Sequence, residues 1–220
     1  MSATHDAATV ILLRDGAAGL ETLLLRRNSQ IAFGGMWVFP GGRIDEADRA
    51  GLSADDVLGA ARRAAVREAR EEAGLDVPEP LLIPFAHWTP PPQAPKRFLT
   101  WFFLAPADAG PVTIDQGEIH DHAWLRPADA LARRDALEID LAPPTWVTLH
   151  WLAQHPEVEH ALAQARLREP EPFATRIASS PDGPVALWQD DAAYDSGDLD
   201  APGPRNRLCM APAGWRYERG

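Results

Sequence analysis

Three glutamates in one short segment are the residues best suited to chemistry. Residues 67–75 read R-E-A-R-E-E-A-G-L, which puts Glu68, Glu71 and Glu72 at positions i, i+3 and i+4. On an α-helix these positions share one face, so three carboxylates crowd within about one turn. Such crowding is repulsive unless a cation neutralises it, and carboxylate oxygens are hard ligands that suit Mg²⁺ or Mn²⁺. The alternative is a solvated face with ordinary arginine–glutamate pairs.

Glycines on both sides place this acidic segment in a larger motif. Phe39-Pro40-Gly41-Gly42 ends 25 residues before Arg67, and Gly74 follows the glutamates. Gly74 predicts a left-handed C-cap that ends the helix. With these glycines the chain resembles the Nudix hydrolases, whose motif is G-x5-E-x7-R-E-U-x-E-E-x-G-U, with U a bulky aliphatic residue.

The first half of the motif departs from the family pattern. Asp48 stands six residues after Gly42, where the pattern has a glutamate, and 18 residues separate Asp48 from Arg67 where the pattern has seven. Ala69 is also smaller than the usual aliphatic residue. The added residues lie between a loop and a helix start, where a longer surface loop costs little free energy.

The resemblance implies roles for the acidic helix. Glu71 and Glu72 would be the main metal ligands, and Glu68 a further ligand or the base that orients water. Arg67 would hold a neighbouring carboxylate in its rotamer. The metal would be Mg²⁺, with Mn²⁺ as the alternative, and it would bind diphosphate oxygens and help to activate the attacking water.

Other candidates lie outside the helix. Gly41 and Gly42 would let the backbone approach metal or phosphate closely. Glu118 falls where many Nudix enzymes carry an additional metal ligand or general base, and a solvated acid is the alternative. Four arginines are candidates for phosphate contacts, with a surface salt bridge as the alternative for each: Arg26, Arg27, Arg43 and Arg97.

A second likeness concerns the substrate. Trp88-Thr89-Pro90 and Arg97-Phe98-x-Thr100-x-Phe102-Phe103 resemble the branch of the peroxisomal coenzyme A diphosphatases, which also has an enlarged spacer inside its motif. The coenzyme A signature ahead of the glycine turn is partly present, since Arg26 matches it while Arg27 and Ile31 do not. The resemblance implies cleavage of the diphosphate bond of a nucleoside diphosphate linked to another moiety, with coenzyme A or a derivative as the leading candidate.

Two alternative functions stay open. One is hydrolysis of ADP-ribose, NADH or another nucleotide. The other is a Nudix-fold sensor that binds a nucleotide or metabolite without hydrolysis, which the long spacer and Asp48 would suit. The three retained glutamates favour an enzyme.

Composition limits the setting of this enzyme. A net charge of −11 disfavours a nucleic acid polymer or an anionic membrane as partner. No apolar run reaches the roughly 18 residues of a membrane helix, and the N-terminus lacks a signal-peptide pattern. The single Cys209 requires no oxidising compartment. We therefore expect a cytoplasmic enzyme, with a homodimer as one expectation, whose partner is a small nucleoside diphosphate derivative.

Strands and helices that alternate along the chain predict an α/β or α+β fold. The resemblance implies an α/β/α sandwich with a mixed central sheet over residues 1–168. Prolines, acids and short apolar runs after Glu169 predict a β-rich extension over residues 169–220, with a dimerisation or lid element as the hypothesis for its role. Ser53 is the predicted N-cap of the acidic helix, and residues 43–52 a polar loop. Arg205 and Arg207 are predicted near a substrate entrance.

Apolar periodicity predicts the remaining elements. The predicted strands cover residues 8–14, 20–25, 36–39, 81–87, 97–104 and 119–125, and the predicted helices residues 127–134, 145–152 and 161–167. In the extension, short apolar runs over residues 173–177, 185–188 and 207–210 predict further strands.

Overall fold

A computed structural model of the protein describes residues 4–28, 34–107, 110–115 and 117–220. Ile31 of the coenzyme A signature lies outside these residues. The strands are β1 Thr4–Gly16, β2 Gly19–Arg27, β3 Trp37–Val38, β4 Gly41–Arg43, β5 Ile83–Thr89, β6 Arg97–Pro106, β7 Ile119–Leu125, β8 Glu171–Ala174, β9 Arg176–Ser180, β10 Gly183–Leu187, β11 Asn206–Ala211 and β12 Gly214–Arg219. The helices are α1 Glu46–Arg49, α2 Val57–Ala73, α3 Pro127–Asp135, α4 Pro143–Leu152 and α5 Val158–Arg166.

The large sheet has eight strands and mixed polarity. Its order is β3-β2-β1-β6-β5-β8, with β4 beside β1 and β7 beside β2. β1 and β2 form the predicted hairpin, whereas β1 and β6 run parallel, as do β5 and β8. The predicted mixed α/β fold is confirmed. Within the described residues, no helix is both long and apolar enough to cross a membrane.

Alternating residues of β1 divide the interior into two cores. Val10 and Leu12 pack in a core with the alanine face of α2, while Ile11 and Leu13 belong to a core that includes residues of α3, α4, α5 and the small sheet. Successive side chains of a strand point to opposite faces of its sheet. Helix α2 therefore covers one face, and α3, α4 and α5 cover the opposite face with the C-terminal strands.

Helix α2 begins three residues later than a Ser53 N-cap would require. Its N-cap is Asp56, whose carboxylate accepts a hydrogen bond from the Gly59 amide at 2.8 Å. The predicted polar loop before it contains the short helix α1. Gly74 ends α2 in the predicted left-handed conformation, with φ at 67°. The small side chains of α2 let it lie close against β1 and β4, which brings its last turns to the glycine turn.

The C-terminal segment forms a second, antiparallel sheet in the order β12-β11-β10-β9. Strand β8 lies beyond residue 168, yet it pairs with β5 in the large sheet. Trp188, Leu208 and Tyr217 of the small sheet region pack with the larger core. The division at residue 168 stays a prediction, and the extension shares the interior of the N-terminal part.

Candidate functional site

The turn between β3 and β4 brings backbone to the acidic helix. Strand β4 pairs with β1, so that Gly41 lies opposite Thr9 and Gly42 opposite Ala8. A Cβ on Gly41 would lie 2.5 Å from the Ala8 carbonyl oxygen. A Cβ on Gly42 would overlap the carboxylate of Glu68. Gly41 therefore requires glycine because of backbone, whereas a side chain at position 42 would displace the Glu68 carboxylate.

Glu72 is the most deeply placed of the three glutamates. It is 5% exposed and accepts a hydrogen bond from the Gly41 amide at 2.9 Å. Burial raises the pKa of Glu72 to about 8, which the Gly41 amide and the charge of Arg27 oppose and the nearby Glu68 and Glu118 reinforce. A buried carboxyl among other carboxylates is a group that a cation would stabilise.

Glu68 and Glu71 differ in exposure. The Glu68 side chain is 12% exposed, and burial raises its pKa, although the adjacent Arg67 opposes the shift. The Glu71 side chain is 58% exposed and pairs with Arg67 at 2.9 Å across one helical turn. The helix thus presents two enclosed carboxylates and one at the solvent edge.

Arg67 connects the helix to the turn and to the spacer. Its guanidinium donates to Glu68 at 2.8 Å, to Glu71 at 2.9 Å and to the Arg43 carbonyl oxygen at 2.8 Å. It also donates to both carboxylate oxygens of Asp48, at 3.0 and 3.3 Å. A planar guanidinium with several fixed donors suits this task.

Asp48 meets Arg67 despite the long spacer. The Asp48 carboxylate is buried and accepts the Asp45 amide at 2.9 Å in addition to Arg67. Residues 49–66 between them leave the site at the end of α1 and return as the first half of α2. The added residues therefore lengthen a connection without separating its ends, and Asp48 of α1 contacts Arg67 of α2.

Glu118 approaches from the segment before β7. It is 59% exposed and pairs with Arg27 at 2.7 Å, and its charge acts on both Glu68 and Glu72. The Asp115 carboxylate accepts the amides of Glu118 and Ile119 at 3.1 and 2.9 Å, which fixes this segment. Sequence reasoning missed Asp115 and the pairing of Arg27 with Glu118. An aspartate three residues before a glutamate at a strand start is the available signal.

The other arginine candidates lie apart from the glutamates. Arg26 is exposed beside Trp37 and Asp121 of the neighbouring strands. The Arg43 guanidinium contacts His5 at 3.0 Å, and only its carbonyl oxygen joins the site. Arg97 pairs with Thr4, four residues along β1 from the register position of Gly42, a distance of roughly 13 Å.

The donor set fits a hard divalent cation. Glu68 and Glu72 are enclosed carboxylates of like charge beside the Gly41-Gly42 turn. Within the described residues, no three acidic, histidine or cysteine side chains already converge as a metal cluster, and Arg67 holds Glu68 and Glu71 in ion pairs. A cation at this helix would therefore share its ligands with Arg67.

Comparison with known proteins agrees with this geometry. A family model described as the NUDIX domain matches residues 3–152. The structure of a NUDIX hydrolase from Alicyclobacillus acidocaldarius aligns with a TM-score of 0.66 and 26% identity, covering 74% of this chain and 97% of that one. The NUDIX domain of Shewanella oneidensis NrtR, complexed with ADP ribose, aligns with a TM-score of 0.52 and 20% identity over 76% of this chain and 91% of that one. No curated protein sequence matches the chain.

The fold, the acidic helix and the family model define one class. The chain belongs to the Nudix family. It is a pyrophosphohydrolase, which confirms the prediction of an enzyme. Nudix hydrolases generally use divalent metals, and the acidic donors described above are of the kind such metals bind.

Proposed function

We propose that the protein is a Mg²⁺-dependent or Mn²⁺-dependent hydrolase of a nucleoside diphosphate linked to another moiety, with coenzyme A or a derivative as first candidate. The observation that carries the proposal is the position of Glu72, which is buried and bonded to the Gly41 amide at 2.9 Å with Glu68 beside it. A buried carboxylate next to this backbone supports a metal site that a diphosphate would approach.

Each residue has a distinct task in this proposal. Glu68 and Glu72 would hold the metal, and Glu71 at the solvent edge is the third ligand candidate. A bound metal would neutralise charge on the diphosphate and lower the pKa of the attacking water. Arg67 would keep Glu68 and Glu71 in place, and Asp48 would keep Arg67 in place.

Glu118 is the candidate general base. It is more exposed than Glu68 or Glu72, and Arg27 holds its carboxylate at 2.7 Å. Its charge acts on the two enclosed glutamates, which supports a position on the same side of the molecule as the acidic helix. A base must lie within hydrogen-bond reach of the water it deprotonates. Glu118 would do so from the solvent side, while the enclosed glutamates would hold the metal.

Coenzyme A is first among substrates because of two sequence features. The segments that begin at Trp88 and Arg97 resemble the coenzyme A diphosphatase branch, and that branch shares the enlarged spacer. Arg26 and Arg43 are exposed and remain candidates for phosphate contacts. ADP-ribose and NADH carry the same diphosphate linkage and are the alternatives.

The test is a hydrolysis panel read by mass spectrometry in Mg²⁺ and in Mn²⁺. It contains coenzyme A, an acyl coenzyme A, ADP-ribose, NADH and a dinucleoside polyphosphate. We expect selective conversion of coenzyme A to a phosphopantetheine product and an adenosine phosphate. Selective cleavage of another member would keep the diphosphatase and replace the substrate.

Matched variants separate catalysis from a sensor. Glu72→Gln removes the buried carboxylate, whereas Glu79→Gln removes an exposed one outside the site. We expect turnover to fall by about 10³-fold or more in Glu72→Gln and to be unchanged in Glu79→Gln. Tight binding of a panel member without turnover by the wild-type protein would instead support the sensor.

A further inference from the structure

A cavity outside the acidic site lies on the face of the large sheet opposite α2. Its volume is about 470 Å³, and it lies between α4, the strands β5 and β8, and the last strand β12. Phe85, Trp88, Val147 and Phe173 of its wall belong to the core on the far side of the sheet from the alanines of α2. The cavity is therefore separate from the acidic helix, and both the Nudix part and the C-terminal extension build it.

Three of the residues that line this cavity carry polar atoms without hydrogen-bond partners. Thr148 is fully buried and Trp88 is 3% exposed. Within the described part of the chain, the Thr148 hydroxyl, the Trp88 indole nitrogen and Arg168 Nε are buried and have no hydrogen-bond partner. Such atoms cost stability when nothing satisfies them. An indole N–H and a guanidinium N–H only donate, so a ligand that satisfies them must carry acceptors.

The charged groups of the cavity leave an excess of positive charge. Arg219 bonds to Glu171 at 2.7 Å, and Arg168 lies 3.8 Å from the same carboxylate. Burial lowers the pKa of His150, so this histidine adds no cation near neutral pH. Two arginines thus face one carboxylate, and an anion with a single charge would balance the cavity.

Aromatic rings give the cavity flat walls. Trp88 and Phe173 stack with ring centroids 3.9 Å apart. The Arg168 guanidinium lies over the rings of Phe85 and Trp151 at 4.2 and 4.8 Å. Aromatic walls together with a guanidinium stacked on two of their rings favour a planar ring that carries an anionic acceptor.

We propose that this cavity is a binding site for a small planar aromatic carboxylate. Its carboxylate would accept from Arg168 and Thr148, its ring would lie among Phe85, Trp151 and Tyr217, and Trp88 would donate to a second acceptor. The volume falls in the range of small-molecule sites. The site is independent of the diphosphate chemistry proposed above.

Binding of 1-naphthoate to the full-length protein, measured by isothermal titration calorimetry, tests the proposal. We expect saturable binding with one site per chain. Two further probes test the contributions of the ring and the charge separately. 1-Naphthalenemethanol keeps the ring without the charge, and cyclohexanecarboxylate keeps the charge without a planar ring. Each should bind at least about tenfold more weakly, because charged hydrogen bonds and aromatic contacts each contribute at that level.

Variants test which residues recognise the probe. Thr148→Val removes a hydroxyl that has no partner in the protein, so folding should be retained while naphthoate affinity falls several-fold. Arg168→Met should lower affinity about tenfold or more. Arg166→Gln is the matched control, since Arg166 is an exposed arginine two residues away that pairs with Glu159 outside the cavity. It should bind naphthoate as the wild type does.

The proposal has clear contrary results. Absence of naphthoate binding at millimolar concentration would overturn it, as would equal affinity in Thr148→Val and the wild type together with equal affinity in Arg168→Met. If Arg168→Met does not fold, Thr148→Val decides alone. Naphthoate binding lost in Glu72→Gln would place the ligand at the acidic helix and also overturn the proposal.

Discussion

Glu72 is a carboxyl group whose burial opposes its ionisation. Its pKa is raised to about 8 in the folded protein, above its ordinary value of 4.5. A group with a raised pKa in the folded state binds its proton more tightly there than in the unfolded chain, so the free energy of unfolding falls as pH rises from the ordinary value towards the raised one. Without metal, ionisation of Glu72 therefore destabilises the protein between about pH 4.5 and 8.

Glu72→Gln should stabilise the metal-free protein at pH 8. The amide keeps the shape but does not ionise, so its melting temperature in chelator should exceed that of the wild type by a few degrees, as about 1 kcal/mol gives 2–4 °C for a chain of this size. The difference should shrink at pH 5. Added Mg²⁺ should raise the melting temperature of the wild type but not of the variant. A variant less stable than wild type at pH 8 in chelator would contradict this reading.

A substitution at Gly42 tests the geometry of the site without disturbing the fold. The three atoms nearest to a Cβ at this position belong to the Glu68 carboxylate, whereas a Cβ on Gly41 meets backbone of Ala8 and Thr9. Gly42→Ala should therefore fold normally but displace Glu68 and lower kcat by about 10²-fold, the loss expected from a displacement of about 1 Å.

Two glycine controls make this comparison sharp. Gly41→Ala should lower the melting temperature as well as kcat. Gly110→Ala should change neither, since its Cβ would make an ordinary 3.8 Å contact with Leu75. Full activity in Gly42→Ala, measured with the preferred substrate of the panel, would show that Glu68 does not need its observed position.

At the scale of elements, periodic segments were predictable and their connections were not. The alternating apolar residues of β1 and the small-residue face of α2 predict those elements because burial on one face sets the period. The predicted start of α2 was wrong because Asp56, and not Ser53, is the N-cap; its side chain accepts a hydrogen bond from the Gly59 amide. The contact of Asp48 with Arg67 depends on the path of residues 49–66, which spacing alone does not determine.

The extension shows the same limit. Its apolar runs predict strands, but β12 was missed because its residues alternate between aromatic and charged types without an apolar run. The predicted position of Arg207 near a substrate entrance is wrong. Arg207 is buried and bonds to the Asp191 carboxylate at 2.7 Å. Sequence gave no signal that Asp191, 16 residues away, is its partner.

Asp191→Asn should strongly destabilise the fold of the C-terminal extension. Burial alone would raise the pKa of Asp191, but Arg207 and the amides of Asn206 and Ala193 together hold it below its ordinary value. Removal of one partner leaves Arg207 buried without its counter-charge, which costs about 3–5 kcal/mol. The change should appear as a lower urea midpoint.

The pH dependence follows the same pair. A carboxyl group with a lowered folded-state pKa contributes stability that is present above its unfolded value, about 3.8, and is lost as pH falls through the lowered one. The difference in urea midpoint between the wild type and Asp191→Asn should thus become smaller as the pH falls below about 4. Asp195→Asn is the control, because Asp195 is 90% exposed in its pair with Arg176. Equal midpoints for the two variants would contradict the role of the buried pair.

At the scale of the whole molecule, the large sheet and the small sheet share one hydrophobic core. Trp88 of β5 stacks on Phe173 of β8 and contacts Trp188 edge-on with ring centroids 5.6 Å apart. Trp188 is fully buried and donates to the Thr175 hydroxyl at 3.0 Å. An extension that only covers a site or joins two subunits would not need to supply buried aromatic rings to the core of its own chain. The homodimer and the lid stay predictions, whereas the structure shows that the extension packs in the core of its own chain.

Removal of residues 169–220 should therefore prevent stable folding of the remainder. The truncated chain would expose Trp88 and lose Phe173 and Trp188, and loss of a single buried aromatic ring already costs about 3–5 kcal/mol against a total stability of about 5–15 kcal/mol. We expect aggregation or loss of the near-ultraviolet circular dichroism. The matched control is the full chain with a protease site at Gly197, in an exposed turn between β10 and β11. After cleavage its two fragments should stay associated, because strand pairing holds β11 against β10. A truncated chain that is monomeric and as heat-stable as the intact protein would show that the extension is a separable module.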